Sequence, residues 1–393
     1  MKKVLLTFAF AASIISCSNN NVTNTVAPST YKFERNGTSS VSFGGQTTRI
    51  KMGAEFLSAL RNTSETVATL NAKFAHSAGD NNFSDADLNA SSKNIRSKVA
   101  ASTDFYSANT TDATAIKTQF DSWIEAQVNN VFPNWEIDAS AGVAGKIQQA
   151  GGGSVRYVNK KGVEYNQLIA KSLIGGLMVD QILNNYLSTA VLDAGTNIAD
   201  NNGDVLLSGK NYTSMEHKWD EAFGYLYGNE ADVTAPTYDA DKFLNEYLGK
   251  VKGNANFKGI DVVVYNAFKL GRAAITEKDY NTRDAQAAIL KENISTVIAV
   301  RGIYYLQNGK LKLTSDKAAA FHALSEALGF VYSLQFTRKP NSTESYFTKA
   351  EVDGFMTKLQ VGNGFWDITE ATIDEVSNAI AAKFNFTTEQ AGI

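Results

Sequence analysis

The sequence predicts an all-α protein made of two pseudo-repeated helical bundles, with a small β-hairpin near the N-terminus. Apolar residues recur at helical spacing along most of the 393 residues. The chain contains only four prolines, and each lies between stretches of helical pattern. The stretch HKWDEAFGYLYG at 217–228 shares its pattern with HALSEALGFVYS at 322–333. A repeat at this distance indicates two related helical units.

The N-terminus has the features of a lipoprotein signal. Two lysines precede an apolar run from Val4 to Ile15, which is too short to span a bilayer and is typical of a secretory signal. The tetrapeptide that ends at Cys17 resembles a bacterial lipobox, so residues 1–16 are the predicted signal peptide and Cys17 is the predicted lipidation site. Residues 17–30 are polar and are interpreted as a flexible tether to the membrane. Because Cys17 is the one cysteine, disulfides and thiolate metal sites are excluded.

The charge distribution excludes nucleic acid as a partner. The formal net charge is −3, and lysines and acids are interspersed with no long basic run. A nucleic-acid-binding surface needs clustered positive charge. The partner predicted from the N-terminus is a membrane, reached through the lipid anchor.

The elements run in chain order from a hairpin to two sets of helices. Alternating residues on either side of Asn36-Gly37 predict the hairpin, and a glycine-rich stretch at 141–162 is interpreted as a surface excursion with room for another. The first bundle is assigned to residues 31–235 and the second to residues 236–393. Helical periodicity predicts helices over 52–76, 89–107, 113–131, 163–192, 260–277, 282–307, 315–337, 348–360 and 371–384.

Histidine, glutamate and glycine recur at matching positions of the two repeated stretches. The corresponding pairs are His217 and His322, Glu221 and Glu326, and Gly224 and Gly329. Offsets of four and seven residues place the three side chains on one stripe of a helix. One interpretation is structural: histidine and glutamate form a hydrogen bond inside a bundle, and glycine lets a neighbouring helix approach. The other is half of a metal or cofactor site, since such sites in bundles combine imidazole with carboxylate.

Asp220 breaks the symmetry of the two stretches, because its counterpart is Ser325. The additional carboxylate favours the first stretch if only one of them binds a ligand. His76, at the end of a predicted helix, is interpreted as structural. No catalytic residue is predicted, because the chain lacks the HExxH and GxSxG patterns. The candidate metal ligands are His217, Glu221, Asp220, His322 and Glu326.

Four stretches resemble a family of bacterial lipoproteins known as a domain of unknown function (DUF4856). They are YKFERNGTSSVSFGGQTTRIKM, KGVEYNQLIAKSLIGGLMVDQILNNYL, YTSMEHKWDEAFGYLYG and HALSEALGFVYSLQF. The resemblance extends over nearly the whole mature chain. It implies membership of a family without implying an activity.

More distantly, a duplicated bundle whose His-x-x-acid helix leads into an aromatic run resembles the imelysin-like proteins. Those proteins are all-helical and exported, were once classed as peptidases, and are associated with iron or haem uptake. Their signature is Gly-x-His-x-x-Glu; here Met215 replaces the glycine and Asp220 the glutamate, while Glu221 follows one residue later. The resemblance implies iron or haem as the bound group, with imelysin-like proteins or an outer-membrane receptor as partners.

The expected function is binding at the cell envelope rather than catalysis. We expect an outer-membrane lipoprotein of a Gram-negative cell that is an accessory in iron or haem acquisition. The sequence leaves open whether it faces the periplasm or the cell surface. The alternative is a scaffold or adaptor in which both histidine–glutamate pairs only hold helices together. A peptidase-like hydrolase is the third interpretation.

Overall fold

The computed structural model describes residues 25–392, and the predicted signal peptide and Cys17 lie outside them. The fold is all-α with two small antiparallel hairpins. None of the helices in the described part is both long enough and apolar enough to cross a membrane. The strands are β1 (Glu34–Arg35), β2 (Thr38–Ser39), β3 (Gly145–Gln148) and β4 (Val155–Val158). The α-helices are α1 (Gly44–Ala59), α2 (Val67–Phe74), α3 (Ala86–Ala90), α4 (Thr110–Ala126), α5 (Tyr165–Leu173), α6 (Thr189–Leu192), α7 (Asn197–Asn202), α8 (Ser214–Tyr227), α9 (Leu244–Lys252), α10 (Ile260–Thr276), α11 (Tyr280–Lys310), α12 (Lys317–Ser333), α13 (Lys349–Lys358), α14 (Glu370–Lys383) and α15 (Thr388–Gly392).

The predicted N-terminal hairpin is confirmed. Strands β1 and β2 pair in antiparallel register across Asn36-Gly37, whose φ angles of 54° and 76° are both left-handed. Asn-Gly is the pair that such a two-residue turn favours, because asparagine and glycine tolerate positive φ. The second hairpin, β3 and β4, lies inside the glycine-rich stretch 141–162.

The helix predicted over 89–107 is wrong. Only the end of α3 and one short 3-10 turn are helical in this region. The reason is Asp180, whose carboxylate accepts the backbone N–H groups of Ala101 and Ser102 at 3.0 Å each. Those donors are no longer available to a helical ladder, and Ala100 turns with φ 45°. The helix predicted over 52–76 is divided into α1 and α2, because a capping box starts a new helix at α2.

The long helix predicted over 163–192 begins as α5 and continues through two π-helical turns, Ile174–Val179 and Ile182–Tyr186. The first wide turn has a local cause. The hydroxyl of Ser333 accepts the N–H of Gly175 at 3.2 Å and lies 2.8 Å from the carbonyl oxygen of Lys171. These two backbone groups would bond each other in a regular α-helix, so the inserted hydroxyl widens the turn.

A single hydrophobic core of buried residues extends from Tyr31 to Ala391. Helix α11 is 31 residues long and packs against α10, α12, α14 and α15. Helix α5 lies along α12, and α1 packs against α8. These two helix pairs position the two repeated histidine stretches. Helices α5 and α12 lie on opposite sides of the boundary predicted at residue 235, and that division and the repeat itself stay predictions.

Candidate ligand-binding site at His322

The two histidine helices hold the starts of two other helices in corresponding ways. On α8, the carboxylate of Asp220 accepts the backbone N–H of Ser42 at 3.1 Å, just before α1. On α12, the hydroxyl of Ser325 accepts the backbone N–H of Glu164 at 2.9 Å, just before α5. Asp220 and Ser325 are counterparts in the two stretches, so corresponding positions each accept a backbone N–H group just before a neighbouring helix.

The two histidines differ in what their Nδ1 atoms contact. Nδ1 of His217 lies 3.0 Å from the backbone carbonyl oxygen of Ser42. Nδ1 of His322 lies 3.1 Å from a carboxylate oxygen of Glu164. Ser42 lies two residues before α1 and Glu164 lies one residue before α5, and only Glu164 is an acid.

Gly224 and Gly329 allow both helix pairs to pack closely. A Cβ atom at Gly224 would lie 2.3 Å from Cβ of Phe43, and one at Gly329 would lie 2.4 Å from Cβ of Lys171. Carbon atoms cannot approach to these distances without a shift of the backbone. The close approach that the structural interpretation assigns to the glycine is present at both positions.

Asp220 belongs to a buried ionic network. Its carboxylate accepts hydrogen bonds from the Tyr31 hydroxyl at 2.7 Å and from Nε of Arg272 at 3.1 Å. Arg272 also donates to Glu216 at 2.9 Å, and Arg35 donates to both oxygens of Glu216. Burial raises the pKa of Asp220 to about 6, against the attraction of Arg272. Burial acts on Glu216 in the same direction, but Arg272 and Arg35 hold its pKa below the usual value.

In the first histidine–glutamate pair, both side chains contact other groups of the protein. Nε2 of His217 lies 4.0 Å from Glu221, whose carboxylate accepts hydrogen bonds from Gln46 at 3.0 Å and Lys218 at 3.1 Å. The imidazole stacks on Tyr212, with ring centroids 4.8 Å apart. Burial lowers the pKa of His217, although the charge of Glu221 acts against it. The hydrogen bond that the structural interpretation expects between His217 and Glu221 is therefore absent, because 4.0 Å is too long for one. Both side chains are held instead by other groups of the protein.

His322 presents its other ring nitrogen to a cavity. Nδ1 lies at hydrogen-bonding distance from Glu164, and Nε2 lies 3.6 Å from Glu326. With the proton on Nδ1, the lone pair of Nε2 would be available to a ligand. Glu326 pairs with Lys171 at 3.3 Å and lies 3.4 Å from the Tyr247 hydroxyl. A carboxylate that accepts the rear N–H of an imidazole fixes its tautomer and orientation in metal-binding histidines. The His322–Glu164 pair has this arrangement.

The cavity in front of Nε2 has a volume of about 630 Å³ and lies between α9, α11, α12 and the second hairpin. This volume is within the range of small-molecule sites. Its lining carries more positive than negative charge. The charged side chains that line it are Arg156, Lys250, Arg301, Lys312 and Glu326. Tyr304 and Tyr305 add aromatic surface to one wall.

The structure does not bring the candidate ligands together in one site. His217 contacts Ser42 and Tyr212, whereas His322 contacts Glu164 and lines the cavity. Within residues 25–392 no group of three or more histidine, cysteine, aspartate or glutamate side chains is placed to hold a metal ion. A metal bound at His322 would therefore need donors that arrive with it.

Other residues have roles that the sequence assigned differently or missed. His76 is buried, and its ring contacts Asn82 at 3.0 Å and Asn89 at 3.2 Å, in agreement with the structural interpretation. The sequence gives no indication that Glu164 contacts His322, because the two residues are 158 positions apart in the chain. Arg301 begins the segment RGIYY in the middle of α11. In the sequence, the indication of the cavity is that Arg301 is a charged residue among apolar residues of a long helix.

The comparisons with known proteins give a family and no function. A family model described as "Domain of unknown function (DUF4856)" matches residues 28–387. No curated protein matches the chain, and no solved structure matches it. These comparisons therefore assign no ligand to the cavity.

Proposed function

The chain belongs to the DUF4856 family of unknown function, and we propose that it is a binding protein of the cell envelope whose ligand occupies the cavity at His322. The ligand is iron in complexed form, as an iron chelate or haem, and the protein is an accessory in its acquisition. The observation that supports this most directly is the orientation of His322. Nδ1 faces the carboxylate of Glu164, while Nε2 faces Glu326 and the cavity.

The donors fit a complexed metal better than a bare ion. His322 and Glu326 supply two donors, whereas a closed transition-metal site takes about four. Haem iron can be held through a single protein histidine, and an iron chelate brings its own donor atoms. A bare cation would also meet four positive side chains in the cavity lining, which repel it.

The place of the protein in the cell is part of the same proposal. Lipid chains on Cys17 and the tether 17–30 would hold the domain at the outer membrane of a Gram-negative cell. There it would pass its ligand to, or receive it from, an imelysin-like protein or an outer-membrane receptor. These assignments rest on the sequence of residues 1–30 and on the distant resemblance.

The alternative function, a scaffold or adaptor without a metal site, has support in the first stretch. Asp220 is held by Tyr31, Arg272 and the backbone of Ser42, and Glu221 is held by other protein groups. Such side chains stabilise packing and are not available to a ligand. We therefore assign His217 a structural role and give the binding role to His322.

A titration with two matched variants tests the proposal. Haemin and ferric citrate are titrated separately into the full mature chain in detergent, and binding is followed by absorbance and calorimetry. We expect one equivalent of at least one of them to bind. His322→Ala should lose at least tenfold in affinity, because it removes the imidazole nitrogen that lines the cavity and would bind the iron.

The matched control is His217→Ala, which removes the corresponding histidine of the other stretch. We expect it to lower thermal stability, because Glu221 loses a neighbour, and to bind as the unmodified chain does. Failure of both compounds to bind the unmodified chain contradicts the iron proposal. Equal affinities in His322→Ala and the unmodified chain contradict the site.

A further inference from the structure

Arg301 is a buried cation without a counter-charge. Its side chain is 6 % exposed, and Nε has no hydrogen-bond acceptor. Within residues 25–392 it forms no ion pair. Its guanidinium carbon lies 4.0 Å from the ring centroid of Tyr304, 4.5 Å from that of Tyr305 and 5.5 Å from that of Tyr247. The guanidinium therefore packs against three aromatic rings and not against a carboxylate.

Other buried arginines have hydrogen-bond acceptors. Arg49, which is also 6 % exposed, donates to the backbone carbonyl oxygens of Asn94 and Gly45. Three further arginines are fully buried. Each of them bonds at least one carboxylate. The pairs are Arg272 with Asp220 at 3.1 Å, Arg283 with Asp193 at 2.6 Å, and Arg338 with Asp104 at 2.5 Å. A guanidinium has five N–H donors and stays charged in proteins, so burial without an acceptor is unfavourable. Contact with aromatic rings offsets only part of that cost.

The surroundings of Arg301 have the same sign of charge. Arg156, Lys250 and Lys312 line the same cavity, and Nε of Arg156 is also buried without an acceptor. Glu326 is the one acid of the lining, and Lys171 already pairs with it at 3.3 Å. Lys250 pairs with Glu246 at 3.8 Å outside the lining, whereas Arg301, Arg156 and Lys312 form no ion pair within residues 25–392. The cavity therefore has an excess of positive charge that the protein balances only in part.

We propose that this cavity binds a small organic polyanion, with one carboxylate or phosphate group held bidentately by Arg301. The planar fork of a guanidinium matches the two oxygens of such a group. Tyr304 and Tyr305 hold the guanidinium plane in place, and Lys250 and Lys312 meet the other charges of the ligand. A volume of about 630 Å³ accommodates a molecule rather than an inorganic ion alone.

The inference rests on the proposed function only in that both place a ligand in this cavity. If the ligand is an iron complex, the polyanion is its chelating part or the acidic side groups of haem. Iron is not required, because the attraction between Arg301 and an oxyanion is independent of any metal. The two proposals can therefore fail separately.

The test is calorimetric titration of the full mature chain in metal-free buffer. Citrate is the probe for polycarboxylates, and pyrophosphate is the probe for phosphates. The two titrations therefore distinguish these two classes of anionic ligand. At least one should bind, and Arg301→Met should weaken that binding at least tenfold, because a charge-assisted bidentate bond is lost. Arg61→Met removes one exposed positive charge outside the cavity and should leave the affinity unchanged.

The ligand-free variant gives a second readout. Because Arg301→Met removes an unpaired buried charge, its melting temperature without ligand should rise by about 2 °C or more. Absence of binding by both anions, unchanged affinity in Arg301→Met, or a fall in its ligand-free melting temperature overturns the inference. Citrate or pyrophosphate binding by His322→Ala, with no iron binding by any form, would sustain this inference and remove the iron proposal.

Discussion

The imidazole of His322 and the carboxylate of Glu164 are joined at 3.1 Å, across the contact between α12 and α5. The corresponding contact of His217 ends on a backbone carbonyl of Ser42. A carboxylate raises the basicity of an imidazole as a ligand more than a carbonyl does, since it carries a full charge. The two stretches thus share the same helix contacts but differ in the group that faces Nδ1 of the histidine. That group determines how good a metal ligand Nε2 is.

Glu164→Gln tests that relationship without removing a group that touches the ligand. The amide keeps the size of the side chain and can still accept the hydrogen bond, but it loses the charge. We expect haemin or ferric citrate to bind about 10- to 100-fold more weakly. The absorbance spectrum of bound haemin should also shift, which a purely structural role would not cause. An unchanged spectrum and affinity contradict the positioning role of Glu164.

Arg272→Met tests the buried network of the first stretch. The change leaves Glu216 and Asp220 without their shared cation, and we expect the free energy of unfolding in urea to fall by about 3–5 kcal/mol. The double variant that adds Asp220→Asn should recover part of the loss, because Glu216 keeps its pair with Arg35 and no unpaired buried acid remains. A loss below about 1 kcal/mol for Arg272→Met would mean that the network contributes little.

Asp241 provides a prediction about pH. Its side chain is 8 % exposed, one carboxylate oxygen lacks a hydrogen-bond donor, and burial raises its pKa to about 7. An unfolded aspartate has a pKa of about 3.9. The folded state therefore binds the proton more tightly, so this group's contribution to stability is complete below about pH 4 and is lost as the pH rises to 7.

Asp241→Asn removes that titration and keeps an acceptor for the N–H of Phe243, which Asp241 now bonds at 2.8 Å. We expect the variant to gain stability relative to the unmodified chain between pH 4 and pH 7, by an amount on the order of 2–4 kcal/mol. Urea unfolding at pH 5 and pH 8 measures the difference. A gain of the same size at both values would show that Asp241 does not titrate in this range.

Alanine substitutions of two glycines, one in α12 and one in α11, test the close packing of the helices at the cavity. Gly329→Ala would place Cβ 2.4 Å from Lys171, so α12 and α5 must separate, and we expect a loss of about 1–3 kcal/mol. Gly302→Ala on α11 meets only an ordinary contact of 3.6 Å with Phe330. It should be neutral or stabilising by up to about 1 kcal/mol, because alanine favours a helix. Equal effects in the two variants contradict the packing described for α5 and α12.

Local features of the fold were predictable from the sequence. Apolar periodicity identified α10, α11 and α12, and Asn36-Gly37 identified the first hairpin, since each depends on residues close in the chain. The helix expected over 89–107 failed because Asp180, distant in sequence, accepts its backbone N–H groups. A carboxylate from another element overrode the local preference.

The candidate site was predictable only in part. The i, i+4 spacing of His322 and Glu326 follows from the helix and is visible in the sequence. Glu164 and Arg301 come from α5's start and from α11, and no short-range pattern joins them to His322. The distinction between the two histidines depends on those partners, so it becomes visible only when the helices are packed.

The central claim is that ligand binds at His322 and not at His217. Crystals of the protein loaded with ferric citrate or haemin, measured at the iron absorption edge, locate the metal directly. The account predicts the strongest anomalous peak in the cavity, within bonding distance of Nε2 of His322 and close to Glu326. A strongest peak beside His217, or loaded crystals with no iron in the cavity, would contradict it.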